Sequence, residues 1–185
     1  EEIDISGFDT SMVEDMSSMF EGCAGVRTLD LGGLNTSSLE DMHSMFEGCT
    51  SLEVLNLEGL DTSAVTSMYS MFADCSALTE LDLSGLDTSQ VTSLSSLFSG
   101  CEKLEVLTLD GLDTSSADSM FLMFSGCVSI RELDLSGFDT SAVTDMYGMF
   151  KDCAQLVSLN LEGFDTGKVE TMSYMFEGCT SLEEL

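Results

Sequence analysis

Positive charge is what this 185-residue chain has least of: Lys and Arg together number 5 against 34 Asp and Glu, a formal net charge of −29. With no basic cluster to neutralise phosphates, nucleic acid is excluded as a partner and anionic membrane surfaces are disfavoured. No apolar run approaches the roughly 18 residues of a transmembrane helix, which argues against direct membrane insertion. Glu1-Glu2-Ile3-Asp4 does not read as a signal peptide, so the chain is expected to be a mature chain or an excised piece. There is one histidine, His43, no close pair of cysteines and no Gly-rich phosphate loop ahead of a helix. Zinc ligation, His-activated serine chemistry and nucleotide phosphate binding therefore lack their parts. What is present is apolar residues, at 43% too many for a disordered acidic tail, so the chain is expected to fold.

The seven cysteines, Cys23, Cys49, Cys75, Cys101, Cys127, Cys153 and Cys179, lie 26 residues apart with no insertion or deletion between them. A Phe stands three positions before each, from Phe20 to Phe176, and an aliphatic residue three positions after, as at Leu52, Leu78 and Leu104. A strict period of this length with an L-x-x-L-x-L core is the signature of a solenoid, whose coils bury their apolar faces only by stacking.

Two periodicities alternate within each unit. In Leu52-x-x-Leu55-Asn56-Leu57 the leucines alternate with a polar residue, which predicts a short strand with Asn56 outward. After Gly59-Leu60-Asp61-Thr62-Ser63, the residues Val65, Met68, Met71 and Phe72 fall at helical spacing on one face. Asp, Thr or Ser would cap that helix, Gly22, Gly48, Gly100, Gly126 and Gly178 suit its left-handed stop, and Glu14, Asp15, Glu40, Asp41 and Asp145 would meet its positive end. The expected fold is thus an α/β solenoid spanning residues 1–185 as one domain. It would hold seven 26-residue coils, each with one short parallel β-strand and one short helix, and the strands would form one sheet.

The unit M-F-x-G-C-x-x-L-x-x-L-x-L-x-G-[LF]-D-T-S resembles the bacterial surface protein 26-residue repeat, a divergent leucine-rich repeat related to BspA-like repeats, over the whole chain. The resemblance implies a leucine-rich-repeat-like scaffold at the cell surface, in a lipoprotein or wall-anchored protein. It also implies a non-catalytic adhesion role, with a protein or glycan on another surface as partner. The asparagine ladder of ordinary leucine-rich repeats is missing, since Leu60, Leu86 and Leu112 occupy its place; Asp61, Asp87, Asp113, Asp139 and Asp165 are expected to bind the turn backbone instead.

An odd number of thiols in one repeated slot predicts free, buried cysteines acting as small apolar residues. Twelve of thirteen methionines share two slots that Leu94 and Leu97 fill in one coil, which points to packing and not to metal ligation, and no cofactor is expected. His43 has Tyr69, Ser95, Phe121, Tyr147 and Ser173 as its equivalents and reads as a surface residue.

The outward strand positions Asp30, Asn56, Asp82, Thr108, Asp134 and Asn160, with Glu58, Asp110 and Glu162 in the next row, form an acidic strip and are the candidate binding residues. Asn56, Thr108 and Asn160 interrupt the carboxylates and relieve their repulsion. The strip suits a cationic protein surface or, alternatively, Ca²⁺, although no calcium-binding β-roll nonapeptide is present. A strict repeat supplies like residues along a line where catalysis needs unlike residues in one pocket, so an enzyme is not expected. The first coil opens on the strand pair Ile3 and Ile5 and the last residue is Leu185, so neither end reads as capped; a longer surface protein, or filaments self-associating through the ends, would follow.

Overall fold

The computed structural model describes residues 3–184; Glu1, Glu2 and Leu185 lie outside the described residues. The coils stack with like residues in register, and their inward side chains form one hydrophobic core from Ile5 to Met175. Six strands are formed, each of three residues: β1 (Thr28–Asp30), β2 (Val54–Asn56), β3 (Glu80–Asp82), β4 (Val106–Thr108), β5 (Glu132–Asp134) and β6 (Ser158–Asn160). All pairings are parallel and shifted by one repeat, as in Leu29 opposite Leu55.

Three sequence expectations need correction. The strand expected on Ile3 and Ile5 does not form, although Ile5 is buried. Instead of one continuous sheet there are three two-stranded sheets, β1 with β2, β3 with β4 and β5 with β6. Beyond β6 a single bridge joins Ser158 to Glu184.

The third correction is larger: no helix exists among the described residues. The segment after each D-T-S turn is a run of i→i+3 turns. Cys23 donates its N–H to Phe20 O, Glu21 to Ser18 O and Met19 to Met16 O, while the intervening N–H groups cross to the next coil, Met16 to Asp41 O, Ser18 to His43 O, Phe20 to Met45 O and Gly22 to Glu47 O. The bridges link Asp15, Asp41, Ser67, Ser93, Ser119, Asp145 and Thr171 into a second parallel column. A residue with positive φ recurs inside each run, at Ser18, Ser44, Ser70, Ser96, Leu122, Gly148 and Tyr174, a conformation that interrupts any α-helix. The glycines expected to stop a helix do have positive φ, but as the third residue of a turn. At Gly100 (φ +73°) an added Cβ would collide with Asp74 Oδ1.

The spacing of the coils explains the missing helix. The Phe rings from Phe20 to Phe176 stack with centroids 5.4–5.9 Å apart. Packed helices need roughly 8–10 Å between axes. A coil pitch near that of a β-sheet leaves room for one extended or turning chain per level, and the carbonyls and amides of that chain then bond between levels.

Candidate binding face

Each coil is held to its neighbours by polar side-chain ladders that the sequence reading missed. The threonine of each D-T-S or N-T-S turn is buried. Thr62 Oγ1 donates to Asp87 O at 2.8 Å and accepts from Asp87 N–H at 2.8 Å, and Thr140 does the same with Asp165 at 3.0 and 2.8 Å. Thr10, Thr88 and Thr114 donate to the next coil in the same way. Threonine thus serves where ordinary leucine-rich repeats use asparagine, and an invariant hydroxyl between a surface Asp and a surface Ser was the signal available for it. Asp61 accepts from the N–H of Ser63 at 3.1 Å, Asp87 from Ser89, Asp113 from Ser115, Asp139 from Ser141 and Asp165 from Gly167. These contacts with the serines hold the Asp61, Asp87 and Asp139 carboxyls below the usual carboxylate range.

All seven cysteines are free, and those from Cys49 to Cys153 are buried. They are more than small apolar residues. Cys49 Sγ–H donates to Phe20 O at 3.1 Å, Cys75 to Phe46 O, Cys101 to Phe72 O, Cys127 to Phe98 O, Cys153 to Phe124 O and Cys179 to Phe150 O, each reaching back one coil. Burial pushes the Cys49 thiol up to about 11 and the Cys101 thiol up to about 12, and raises Cys75 and Cys127 as well. Thiols held protonated are poor nucleophiles and poor ligands. The methionines of the two repeated slots from Met42 to Met149, and Leu94 and Leu97 with them, are buried core residues, whereas Met172 in the last coil is exposed. His43, half-exposed, sets Nδ1 2.9 Å from Asp41 Oδ1.

The candidate binding residues lie side by side on the strand face. Asp30, Asp82, Asp134, Glu58, Asp110 and Glu162 are exposed, while Asn56, Thr108 and Asn160 are partly covered. Three of these six carboxylates are used locally: Asp30 Oδ1 accepts from Gly32 N–H, Asp82 from Ser84 and Asp134 from Ser136, each at 2.9 Å. The backbone N–H bonds to Ser84 and Ser136 hold the Asp82 and Asp134 carboxyls low, so both are anionic at neutral pH. Asn56 Nδ2 donates to Asp30 at 2.8 Å and Asn160 Nδ2 to Asp134 at 3.0 Å. Beside this row stand two exposed valines, Val54 and Val106, and the exposed glutamates Glu80 and Glu132.

Alternate junctions between strands differ. Leu31, Leu83 and Leu135 donate N–H to the carbonyls of Asn56, Thr108 and Asn160 at 2.9–3.0 Å. Leu57 and Leu109 make no equivalent bond to Asp82 and Asp134, and no bridge joins β2 to β3 or β4 to β5. Each open junction holds a cleft. The one between β2 and β3 has a volume of about 320 Å³ and is walled by Asn56, Glu58, Asp82 and Ser84; the one between β4 and β5 has about 570 Å³ and is walled by Thr108, Asp110, Glu132, Asp134 and Ser136. The sequence carries this pattern at 52 residues, not 26. Leu29-Asp30-Leu31-Gly32, Leu81-Asp82-Leu83-Ser84 and Leu133-Asp134-Leu135-Ser136 alternate with Leu55-Asn56-Leu57-Glu58, Leu107-Thr108-Leu109-Asp110 and Leu159-Asn160-Leu161-Glu162. The amide of Asn56 shows how direction arises. Its Oδ1 accepts from Glu58 N–H, which turns Nδ2 toward Asp30 in the preceding coil and away from Asp82 in the next.

The family model described as "Mycoplasma protein of unknown function, DUF285" matches residues 1–106 and again 76–185, which together cover the chain. The chain belongs to this family. Among solved structures it is similar to a leucine-rich repeat protein of T. pallidum, at 20% identity and a TM-score of 0.53 over 90% of this chain and 70% of that one. Weaker likeness extends to a leucine-rich repeat protein of Bacteroides ovatus (18% identity, TM-score 0.41, covering 84% of this chain) and to a leucine rich cell surface protein of Faecalibacterium prausnitzii (15%, 0.34, covering 92%). The chain spans 44% and 62% of the lengths of those two proteins. No curated protein matches the sequence. This member of the DUF285 family therefore has a leucine-rich repeat fold, without the helix per coil. Among its described residues no group of three or more His, Cys, Asp or Glu side chains converges to hold a metal ion, and no helix is long and apolar enough to cross a membrane.

Proposed function

We propose that the chain is a non-catalytic interaction scaffold of a bacterial cell-surface protein, a single repeat domain within a longer chain, and that its strand face adheres to a protein or glycan on an opposing surface. The observation that supports this reading is the strand face itself. Asp30, Asp82 and Asp134 stand in one exposed row with Asn56, Thr108 and Asn160 between them, on a frame with one continuous hydrophobic core. Like residues repeated along a line supply an extended contact surface, and nothing in the row gathers a nucleophile, base and oxyanion donor in one place. Solenoids present such surfaces at low ordering cost because the frame is preorganised.

Immobilised wild-type chain and a triple variant, D30N/D82N/D134N, screened against arrays of extracellular proteins and glycans, test the reading. Retention of a defined protein or glycan by the wild type, weakened in the variant, is expected. Retention of none, or equal retention by both, overturns it.

A further inference from the structure

We propose that the solenoid flexes as three two-coil units, hinged at the open junctions β2|β3 and β4|β5, so that its strand face changes curvature while its turn face stays closed. The proposal goes beyond the scaffold reading and does not depend on it, since it concerns the free chain and needs no ligand.

Three features share the same two-coil period. The first is the backbone of the strand face. Glu53 and Val54 donate N–H to Arg27 O across β1|β2, Glu105 and Val106 to Thr79 O across β3|β4, and Val157 and Ser158 to Arg131 O across β5|β6. Among the described residues no such pair crosses β2|β3 or β4|β5, and no bridge joins those strands. The second is the interior ring column. Across bonded junctions the stacked rings are nearly parallel, at 3° for Phe20 and Phe46, 4° for Phe72 and Phe98, 6° for Phe124 and Phe150 and 3° for Phe150 and Phe176, with centroids 5.7–5.9 Å apart. Across β2|β3 the angle between Phe46 and Phe72 is 9° at 5.6 Å, and across β4|β5 the angle between Phe98 and Phe124 is 22° at 5.4 Å. The rings thus tilt most and approach closest at the two levels where the strands part. A small rotation of one coil against the next, about an axis between the ring column and the strands, has this result. The third is the 52-residue alternation of Leu-Asp-Leu-Gly or Leu-Asp-Leu-Ser with Leu-Asn-Leu-Glu or Leu-Thr-Leu-Asp, which writes the pairing of coils into the chain.

The rotation has a closed edge. On the turn face the bridges Asp41 to Ser67 and Ser93 to Ser119 span the same two junctions, Phe46 N–H reaches Met71 O at 3.0 Å and Phe98 N–H reaches Met123 O at 2.9 Å. The Cys75 and Cys127 thiols still donate across them to Phe46 O and Phe98 O. The opposite edge is solvated, and there a strand amide exchanges its bond for water at little cost. Packed units that keep one edge closed and vary the other move as hinges. In a solenoid a small rotation per repeat sets the curvature of the whole face, so the row from Asp30 to Asn160 would bend in steps of two coils.

Pulsed electron double resonance between nitroxide labels tests this. The labels are carried on a ketone-bearing phenylalanine analogue, which spares the seven native thiols, and replace exposed residues in three pairs that each span three junctions. Val54 and Glu132 enclose both open junctions, and Thr28 and Val106 enclose one. Glu40 and Asp118, next to the bridged Asp41 and Ser119, enclose the same junctions as Val54 and Glu132 but on the turn face. The strand-face pair across two hinges is expected to give a distance distribution with about twice the variance of the pair across one, because independent rotations add. The turn-face pair should be the narrowest of the three. Circular dichroism and melting temperature check that each labelled chain is folded. Equal widths for the two strand-face pairs overturn the hinges, and a turn-face distribution as broad as that of Val54 and Glu132 overturns the closed edge. Either result leaves the scaffold reading untouched, because the array screen alone decides it.

Discussion

The two long faces of this solenoid obey different rules. On the turn face every junction is alike: rings stack from Phe20 to Phe176 at nearly constant spacing, and thiols reach back to the preceding Phe carbonyl at each level from Cys49 onward. On the strand face, within β1–β6, junctions alternate between bonded and open. The same stack can thus be continuous on one side and segmented on the other. The difference teaches that the interior columns set the pitch, while the strand ladder can lapse at alternate junctions without breaking the stack. A column of identical buried rings has no alternative arrangement at close packing, whereas a solvated strand edge can exchange a backbone bond for water at little cost.

The contrast can be broken most forcefully from the turn side. Phe98→Ala, in the middle of the ring column and fully buried, should cost about 3–5 kcal/mol in denaturant unfolding, with loss of structure on both faces. Alkaline pH attacks the same side. The buried thiols from Cys49 to Cys153 have raised pKa values, so their stabilisation is complete below the unfolded thiol value of about 9 and is lost as pH rises through the folded values. Each thiol still protonated in the folded state should contribute roughly 1.4 kcal/mol of lost stability per pH unit. Cys101→Ala should flatten that slope between pH 9 and about 12, as read from urea midpoints against pH. Thr62→Val, which leaves the Asp87 N–H and C=O without their hydroxyl partner, should cost about 2 kcal/mol in the same assay.

The strand face should give the smallest response. Asn160→Asp replaces the hydrogen bond to Asp134 with a like charge and should cost under about 1 kcal/mol, with the loss shrinking as salt rises. Hydrogen exchange would sharpen the comparison. Amides crossing between coils on the turn face, such as Phe98 to Met123 O, should be protected, and those of Leu57 and Leu109 should exchange orders of magnitude faster. Comparable protection of the two classes would contradict the segmentation.

Much of the frame was legible in the residues: the coil length, the Phe, Cys and Leu columns, the free thiols and the outward row from Asp30 to Asn160 all stand where the spacing places them. The helix was misread because Val65, Met68, Met71 and Phe72 satisfy a spacing of three and four in two ways. A chain of i→i+3 turns and an α-helix both bring such residues to one side. The clefts were missed because a 26-residue alignment averages Asp30 with Asn56 and Gly32 with Glu58, and the alternation appears only when every second coil is compared.

The sequence by itself determined which atoms face inward, because identical residues at a fixed interval can bury their apolar surface only against their own copies. Only the stacked structure decided the path of the backbone between them. At 5.4–5.9 Å per level a helix has no space, its amides find acceptors in the next coil, and one residue of each run, most often a serine, takes the left-handed turn where a helical residue was expected.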